Sequence, residues 1–318
     1  MSDAEVRIEA TDLRRSFEKR VAVDGLTLKV SAGEIYGLVG PDAAGKTTTL
    51  RILAGLLDPS EGTARLVGRD PFGKDTSFRE ALGYMPQEYS LYGDLTVAEN
   101  LAFYGEMFCL ARDAFRQRRE RLLGITRLAE FKDRRAEALS GGMYKKLALA
   151  CALLHEPKAL LLDEPTNGVD PVSRREFWDL LHDFLSEGMA ILFATSNMDE
   201  AARCHRVGLL FQGKLLEEGE PTALLGAFQD PVFRVRGDRA KVTAALDTQP
   251  DVLAFTPAGA ELRIVVRRGR EQPVLAVLSG LGAQTSPASA SFEELFLTRV
   301  RERTDAKPGE KPGEKSAS

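Results

Sequence analysis

Gly40-Pro41-Asp42-Ala43-Ala44-Gly45-Lys46-Thr47 fits the pattern G-x-x-x-x-G-K-[ST], and its flanks decide the fold. Upstream, EIYGLVG (34–40) is almost wholly apolar, as a strand buried on both faces must be. Downstream, GKTTTLRILAGLL (45–57) reads as a helix. A glycine-rich turn between a buried strand and a helix N-terminus points backbone N–H groups at an anion. In that setting Lys46 is expected to reach the β- and γ-phosphates of a nucleotide, and Thr47 to offer its hydroxyl to Mg²⁺. Gly40, Ala44, Gly45 and Thr48 complete the expected phosphate-binding loop.

Working outward, buried-type strands recur at KALLLD (158–163) and MAILFAT (189–195), separated by the helical SRREFWDLLHDFLSEG (173–188). VRIEA (6–10) and VAVDGLTLKV (21–30) alternate instead and predict an antiparallel edge. Residues 88–140 change to helical periodicity rich in Arg and Glu, as in LTVAENLAFYGEMF and DAFRQRRERLLGI. The expected fold class is therefore α/β: a mixed, mostly parallel sheet with an antiparallel edge and a helical subdomain near 88–140.

A domain boundary is expected near 230. Beyond it VFRVRG, DRAKVTAAL, VLAFTP, ELRIVVRR, EQPVLAVLSGLG and SFEELFLTRVRER alternate between strand and helix, predicting a small α+β domain of split βαβ type at 231–302. The segment 303–318 ends in KPGEKPGEKSAS and reads as a disordered tail.

Composition narrows the function classes. A net charge of −4 over 318 residues, with pI near 5.7, argues against a nucleic-acid partner. The N-terminus lacks the pattern of a signal peptide, and no window reaches the roughly 18–20 apolar residues of a membrane span. If the chain serves a membrane, another polypeptide is expected to cross it. Cys109, Cys151 and Cys204 are too scattered for a ligand set and read as reduced thiols.

Two further motifs accompany the phosphate loop. LLLDEP (160–165) delivers Asp163 and Glu164 to the C-terminal end of a buried strand, where α/β sheets bind ligands. Asp163 is placed to hold Mg²⁺, and Glu164 to orient or deprotonate an attacking water. Leu139-Ser140-Gly141-Gly142-Met143 precedes a long helix. Capping accounts for Ser140, but it leaves the second glycine without a reason.

With these motifs in this order, followed by Asn167-Gly168-Val169-Asp170, residues 5–228 resemble the ATP-binding subunit of ABC transporters, a P-loop NTPase. GYMPQEYSLYGDLTVAENL (83–101), DEPTNGVDPVSRREFW (163–178) and SFEELFLTRV (291–300) look like its drug-efflux branch, which works with type-2 ABC permeases. The resemblance implies ATP and Mg²⁺ as ligands, a separate membrane permease as partner, and a cytoplasmic place at the inner face of the membrane. Phe17 falls where an aromatic stacks on adenine, and Gln87 where a glutamine senses Mg²⁺ and the attacking water. Ser140, Gly141 and Gly142 match the signature that meets the ATP of the opposite subunit in a head-to-tail dimer. Asp170 matches the aspartate at the dimer seam.

The chain departs from the family pattern at FATSNMDEAARCH (193–205). Ser196 stands where the family has a histidine that bridges the γ-phosphate, and the three histidines, His155, His182 and His205, all lie elsewhere. In the loop, Asp42 replaces the usual asparagine and Ala43 a common glycine. The resemblance thus implies an ATPase whose own site is slowed while its signature is intact. That unevenness favours a heterodimer with a histidine-bearing sister over a homodimer. The alternative is a subunit that binds ATP and scarcely hydrolyses it; a blander reading has Asn197 or a water fill the place of the histidine, so that its loss costs little. A soluble ABC protein of translation or DNA repair would need paired cassettes or a long coiled-coil insertion, and neither is present.

Overall fold

A computed structural model describes residues 5–18, 20–88 and 90–305. Two long strands, β1 (Val6–Phe17) and β2 (Arg20–Ser31), pair antiparallel, and β1 pairs on its other side with β4 (Glu61–Leu66). These form a separate three-stranded sheet rather than the edge of the parallel one. The strand β4, EGTARL, alternates polar Glu61, Thr63 and Arg65 with Gly62, Ala64 and Leu66, and of these only Ala64 and Leu66 are buried, so its signal is short and weak.

The parallel sheet is built from β3 (Ile35–Val39), β5 (Leu82–Met85), β6 (Ala159–Asp163), β7 (Ala190–Thr195), β8 (Arg206–Phe211) and β9 (Lys214–Gly219). Their order is β5-β6-β7-β3-β8-β9, with parallel pairing from β5 through β8. Every residue of β3, β6 and β7 is buried, as their apolar runs require. Register places Val39 beside Thr195 and Asp163 beside Ala194. The ends of three strands therefore deliver Gly40, Glu164 and Ser196 to one edge of the sheet.

Helix α1 (Lys46–Leu53) follows the phosphate loop and sinks Leu50, Ile52 and Leu53 into a core shared with Ile8, Leu26 and Leu38. The helical insertion contains α2 (Val97–Met107) and α3 (Arg112–Ile125). A capping box, Thr96 with Glu99, starts α2. Fully buried Asn100 ties the preceding loop to α2, donating to the carbonyls of Tyr92, Leu95 and Thr96 and accepting from Tyr92 N–H. Then α4 (Gly141–Leu153) and α5 (Pro171–Leu185) pack beside the sheet, capped by Ser140 and Asp170.

After α6 (Pro221–Ala227) comes an antiparallel sheet of β10 (Val232–Arg236), β11 (Val252–Ala258), β12 (Glu261–Val266) and β13 (Gln284–Ala288) in the order β11-β12-β10-β13. Val242 and Leu246 of α7 (Arg239–Asp247) and Val274 and Leu278 of α8 (Glu271–Gly280) share one core with Val235 and Ile264. A second core joins Val232, Leu253 and Val265 to Leu297 of α9 (Phe292–Asp305). Helix α9 runs to Asp305, and the rest of the expected tail, 306–318, lies outside the described residues. By contacts the chain divides into two compact units, one reaching Glu200 and including Cys204–Leu215, the other formed by Ala201–Arg203 with the chain from Leu216 onward.

Candidate active site

The phosphate loop is shaped by close approaches that only glycine permits. A Cβ on Gly40 would lie 2.2 Å from the Leu210 carbonyl oxygen, and one on Gly45 2.3 Å from that of Ala22. Gly45 also has φ +112°, outside the range open to other residues. Ala43 adopts φ +61°, so it carries the left-handed strain, about 1 kcal/mol or more, that its replacement of a glycine implies. The loop rests on the turn between β8 and β9. Gly213 N–H donates to the Ala44 carbonyl at 2.8 Å, and Asp24 N–H donates to the Gly213 carbonyl at 2.9 Å.

A cavity of about 370 Å³ opens over this loop. It brings Gly45, Lys46, Thr47 and Thr48 together with Gln87, Glu164 and Phe17, and the loop residues Asp42 and Ala43 also line it. Phe17 is 44% exposed, with the Arg15 guanidinium 4.8 Å from its ring centroid, so one face is covered and the other free to stack. Arg20 and Ala22 line the same cavity, and their sequence context gave no sign of it. Gly40 and buried Ala44 lie beneath the lining, Gly40 N–H donating to the Thr195 carbonyl at 3.1 Å.

Two polar pairs occupy the floor. Lys46 Nζ is 3.1 Å from Glu164 Oε1 and donates to the carbonyls of Gly40 and Pro41 at 2.7 and 3.0 Å. Thr47 Oγ1 donates to Asp163 Oδ1 at 3.1 Å. Asp163 is fully buried, and its Oδ2 has no hydrogen-bond partner among the described residues. Burial raises the Asp163 carboxyl above the ordinary carboxylate range, with the Glu164 charge adding to it against the Thr47 hydrogen bond. A buried oxygen without a donor, beside a threonine hydroxyl, fits a divalent cation that also takes phosphate and water oxygens. Among the described residues no cluster of three or more His, Cys, Asp or Glu could hold a metal alone, so the phosphates would have to complete the set.

Ser196 lies at the end of β7, where its hydroxyl donates to Glu164 Oε2 at 3.2 Å. Glu164 itself has φ +48°, a strained conformation for a residue with a side chain. Asn197 Oδ1 accepts from Asp199 N–H at 3.0 Å, opening the turn that follows. That turn is a 3-10 helix, Met198–Arg203, in which Glu200 is buried. Nearby, burial lowers the Lys145 pKa and, with the Asp163 charge, pushes Tyr84 up to about 12.

The signature residues do not line the cavity. Ser140 accepts from Met143 N–H at 3.3 Å as the cap of α4. A Cβ on Gly142 would lie 2.4 Å from Ser173 Oγ of α5, so that glycine is required by packing within the chain. Gly141 has no such demand, since its nearest neighbour, the Gly168 carbonyl, is 3.6 Å from an added Cβ. Asp170 accepts from the N–H groups of Val172 and Ser173, both at 3.0 Å, and caps α5 beside the signature.

A family model described as "ABC transporter" matches residues 23–167. The probable multidrug ABC transporter ATP-binding protein YbhF of Escherichia coli (strain K12) is 44% identical over 302 residues, covering 93% of this chain. The chain spans about half, 52%, of that relative's length. The Nod factor export ATP-binding protein I of Paraburkholderia xenovorans is 41% identical over 224 residues, 70% of this chain and 74% of that protein. Among solved structures, cbiO1 of Clostridium perfringens, part of the ABC transporter complex cbiONQ, matches with TM-score 0.64 and 27% identity over 70% of this chain and 92% of its own.

Proposed function

The chain belongs to the ABC transporter family, among its ATP-binding subunits, and from that premise we propose that it binds and hydrolyses ATP to drive export through a separate membrane permease. The observation that carries the reading is the meeting, in one cavity with Phe17 at its rim, of the Lys46–Glu164 pair and of Thr47, whose hydroxyl reaches Asp163 buried behind it. The open face of Phe17 stacks on adenine, and the loop N–H groups and Lys46 hold the phosphates. Thr47 and Asp163 would hold Mg²⁺, which would supply positive charge to neutralise that of the phosphates. Glu164 accepts a proton from the attacking water, giving ADP and phosphate.

In this proposal the signature Ser140-Gly141-Gly142 faces the nucleotide of a second ATP-binding subunit, with Asp170 at the seam. Its position off the cavity and the 69% exposure of neighbouring Val172 support such a dimer. The permease rests on the helical insertion, where Tyr92, Phe103 and Met107 are 48%, 39% and 53% exposed. That contact would place the subunit at the inner face of the cell membrane, the cargo being chosen by the permease. The small α+β domain at 231–302 carries no chemistry in this proposal and serves to stabilise or regulate the dimer.

Ser196 supports a second reading, that of an ATP-holding partner that hydrolyses slowly within a heterodimer. Calorimetric titration with ATP and Mg²⁺ tests the binding step, and Lys46→Ala should abolish the heat of binding. Co-purification from the native host then separates the partners. A second ATP-binding chain bearing the missing histidine supports the heterodimer, and a pure homodimer overturns it.

A further inference from the structure

Glu200 lies behind the candidate site and is only 2% exposed. Its Oε2 accepts from the Thr195 hydroxyl at 2.6 Å, and its Oε1 from the Thr166 hydroxyl at 2.6 Å and the Trp178 indole N–H at 3.4 Å. The three donors come from three different segments. Thr195 ends β7 beside Ser196, Thr166 stands two residues beyond Glu164 and opens the turn to Asp170, and Trp178 lies within α5. Thr195 also receives Asn197 N–H on its hydroxyl oxygen at 3.0 Å and Gly40 N–H on its carbonyl at 3.1 Å. With its oxygen so occupied, the Thr195 hydroxyl proton is committed to Glu200. One buried carboxylate thus gathers the strand end that presents Ser196 and the turn that follows Glu164, while the Glu164 N–H donates to the neighbouring Ala194 carbonyl at 2.9 Å.

We propose that Glu200 is a positioning residue: its carboxylate fixes the separation of Ser196 from Glu164 and carries a shift of the Glu164 segment to Ser196 and to Trp178. The inference rests on the nucleotide-binding reading above. Phosphates that draw Lys46 Nζ away from Glu164 leave that carboxylate to find a new place. The Thr166 and Thr195 hydroxyls cannot part from Glu200 without leaving buried polar atoms unsatisfied. A movement begun at Glu164 therefore passes through Glu200 as a unit. The turn from Thr166 to Asp170 moves with it, which links the cavity to the seam of the proposed dimer.

Trp178 is the single tryptophan of the sequence and is fully buried, so its emission reports on this network directly. ATP with Mg²⁺ is titrated into the full chain while calorimetry and Trp178 fluorescence are followed in parallel, for wild type, Glu200→Gln and Thr166→Val. The expected result is a nucleotide-dependent emission change in wild type. In both variants it shrinks at least about threefold while the affinity stays within about twofold. Thr166→Val removes one arm of the clamp with little change of shape, and it decides the matter if Glu200→Gln does not fold. Binding without an emission change in wild type overturns the inference alone, as does a change that survives in the variants. A loss of affinity in step with the emission also overturns it, since that is what mere collapse of the core would give. Absence of ATP binding by wild type overturns the nucleotide reading itself, and the inference with it.

Discussion

Lys46 and Glu164 form an ion pair 3.1 Å apart in which the two side chains are only 5% and 4% exposed. The residue that the loop motif supplies for phosphates thus holds the carboxylate that the next motif supplies for water. Removing one partner of a buried pair leaves the other without compensation, at about 3 kcal/mol or more. Lys46→Ala is therefore expected to lower the unfolding free energy of the N-terminal unit by that order, besides abolishing nucleotide binding. Adding Glu164→Gln should recover most of the loss. Urea unfolding followed by Trp178 fluorescence checks this, and additive losses in the double variant would contradict it.

Ser196 touches Glu164 at 3.2 Å and has a shorter reach than the family's histidine. Steady-state ATP turnover should rise in Ser196→His by about tenfold or more, since one positioned donor is typically worth 10²–10³ in rate. Turnover that is already high in wild type and unmoved by histidine would show that serine suffices.

The two signature glycines answer to different demands. Gly142→Ala drives a methyl group into Ser173 and should destabilise the fold by about 1–3 kcal/mol. Gly141→Ala should leave the melting temperature almost unchanged and weaken ATP-dependent dimerisation instead. Thermal melts and light scattering with ATP distinguish the two, and equal melting losses would refute the assignment.

His155 provides a pH dependence of known sign. Its ring stacks on Phe108 with centroids 3.8 Å apart, and Nε2 donates to the Leu82 carbonyl at 2.9 Å while buried Nδ1 has no hydrogen-bond partner among the described residues. Burial lowers its pKa to about 4, with the Arg118 charge acting in the same direction, against 6.5 for the free side chain. Between those values the unfolded chain binds more protons than the folded one, so stability falls as pH drops from 6.5 towards 4. His155→Gln should flatten the wild-type slope of unfolding free energy across this window, and an unchanged slope would refute the assignment.

Much of the site was legible because its motifs are local. A phosphate loop, an acidic pair at a strand end and a capped signature each declare themselves within a few residues, and buried strands reveal themselves by composition. What stayed hidden depends on distant neighbours. The need for Gly142 lies in Ser173, and the covered face of Phe17 lies under Arg15. Glu200, within the acidic text MDEAAR, reads as a solvated residue and becomes a buried acceptor only when Thr166, Trp178 and Thr195 close around it. For β4 the alternation of Gly62, Ala64 and Leu66 spans a single small run with only two buried side chains, too little to declare a strand before β1 is in place beside it.

A two-residue hairpin turn is ordinarily where a tag, label or split point is tolerated. The turn Gln212-Gly213 is not such a place, because Gly213 supports Ala44 and accepts from Asp24, and a Cβ on it would crowd Ala22 at 2.9 Å. An insertion there would take away the footing of the phosphate loop. The turn at Gly259, between β11 and β12, has φ +64° and open space around its Cα. An epitope or fluorophore for following the protein in cells belongs at Gly259, where the chain carries no load from the nucleotide site.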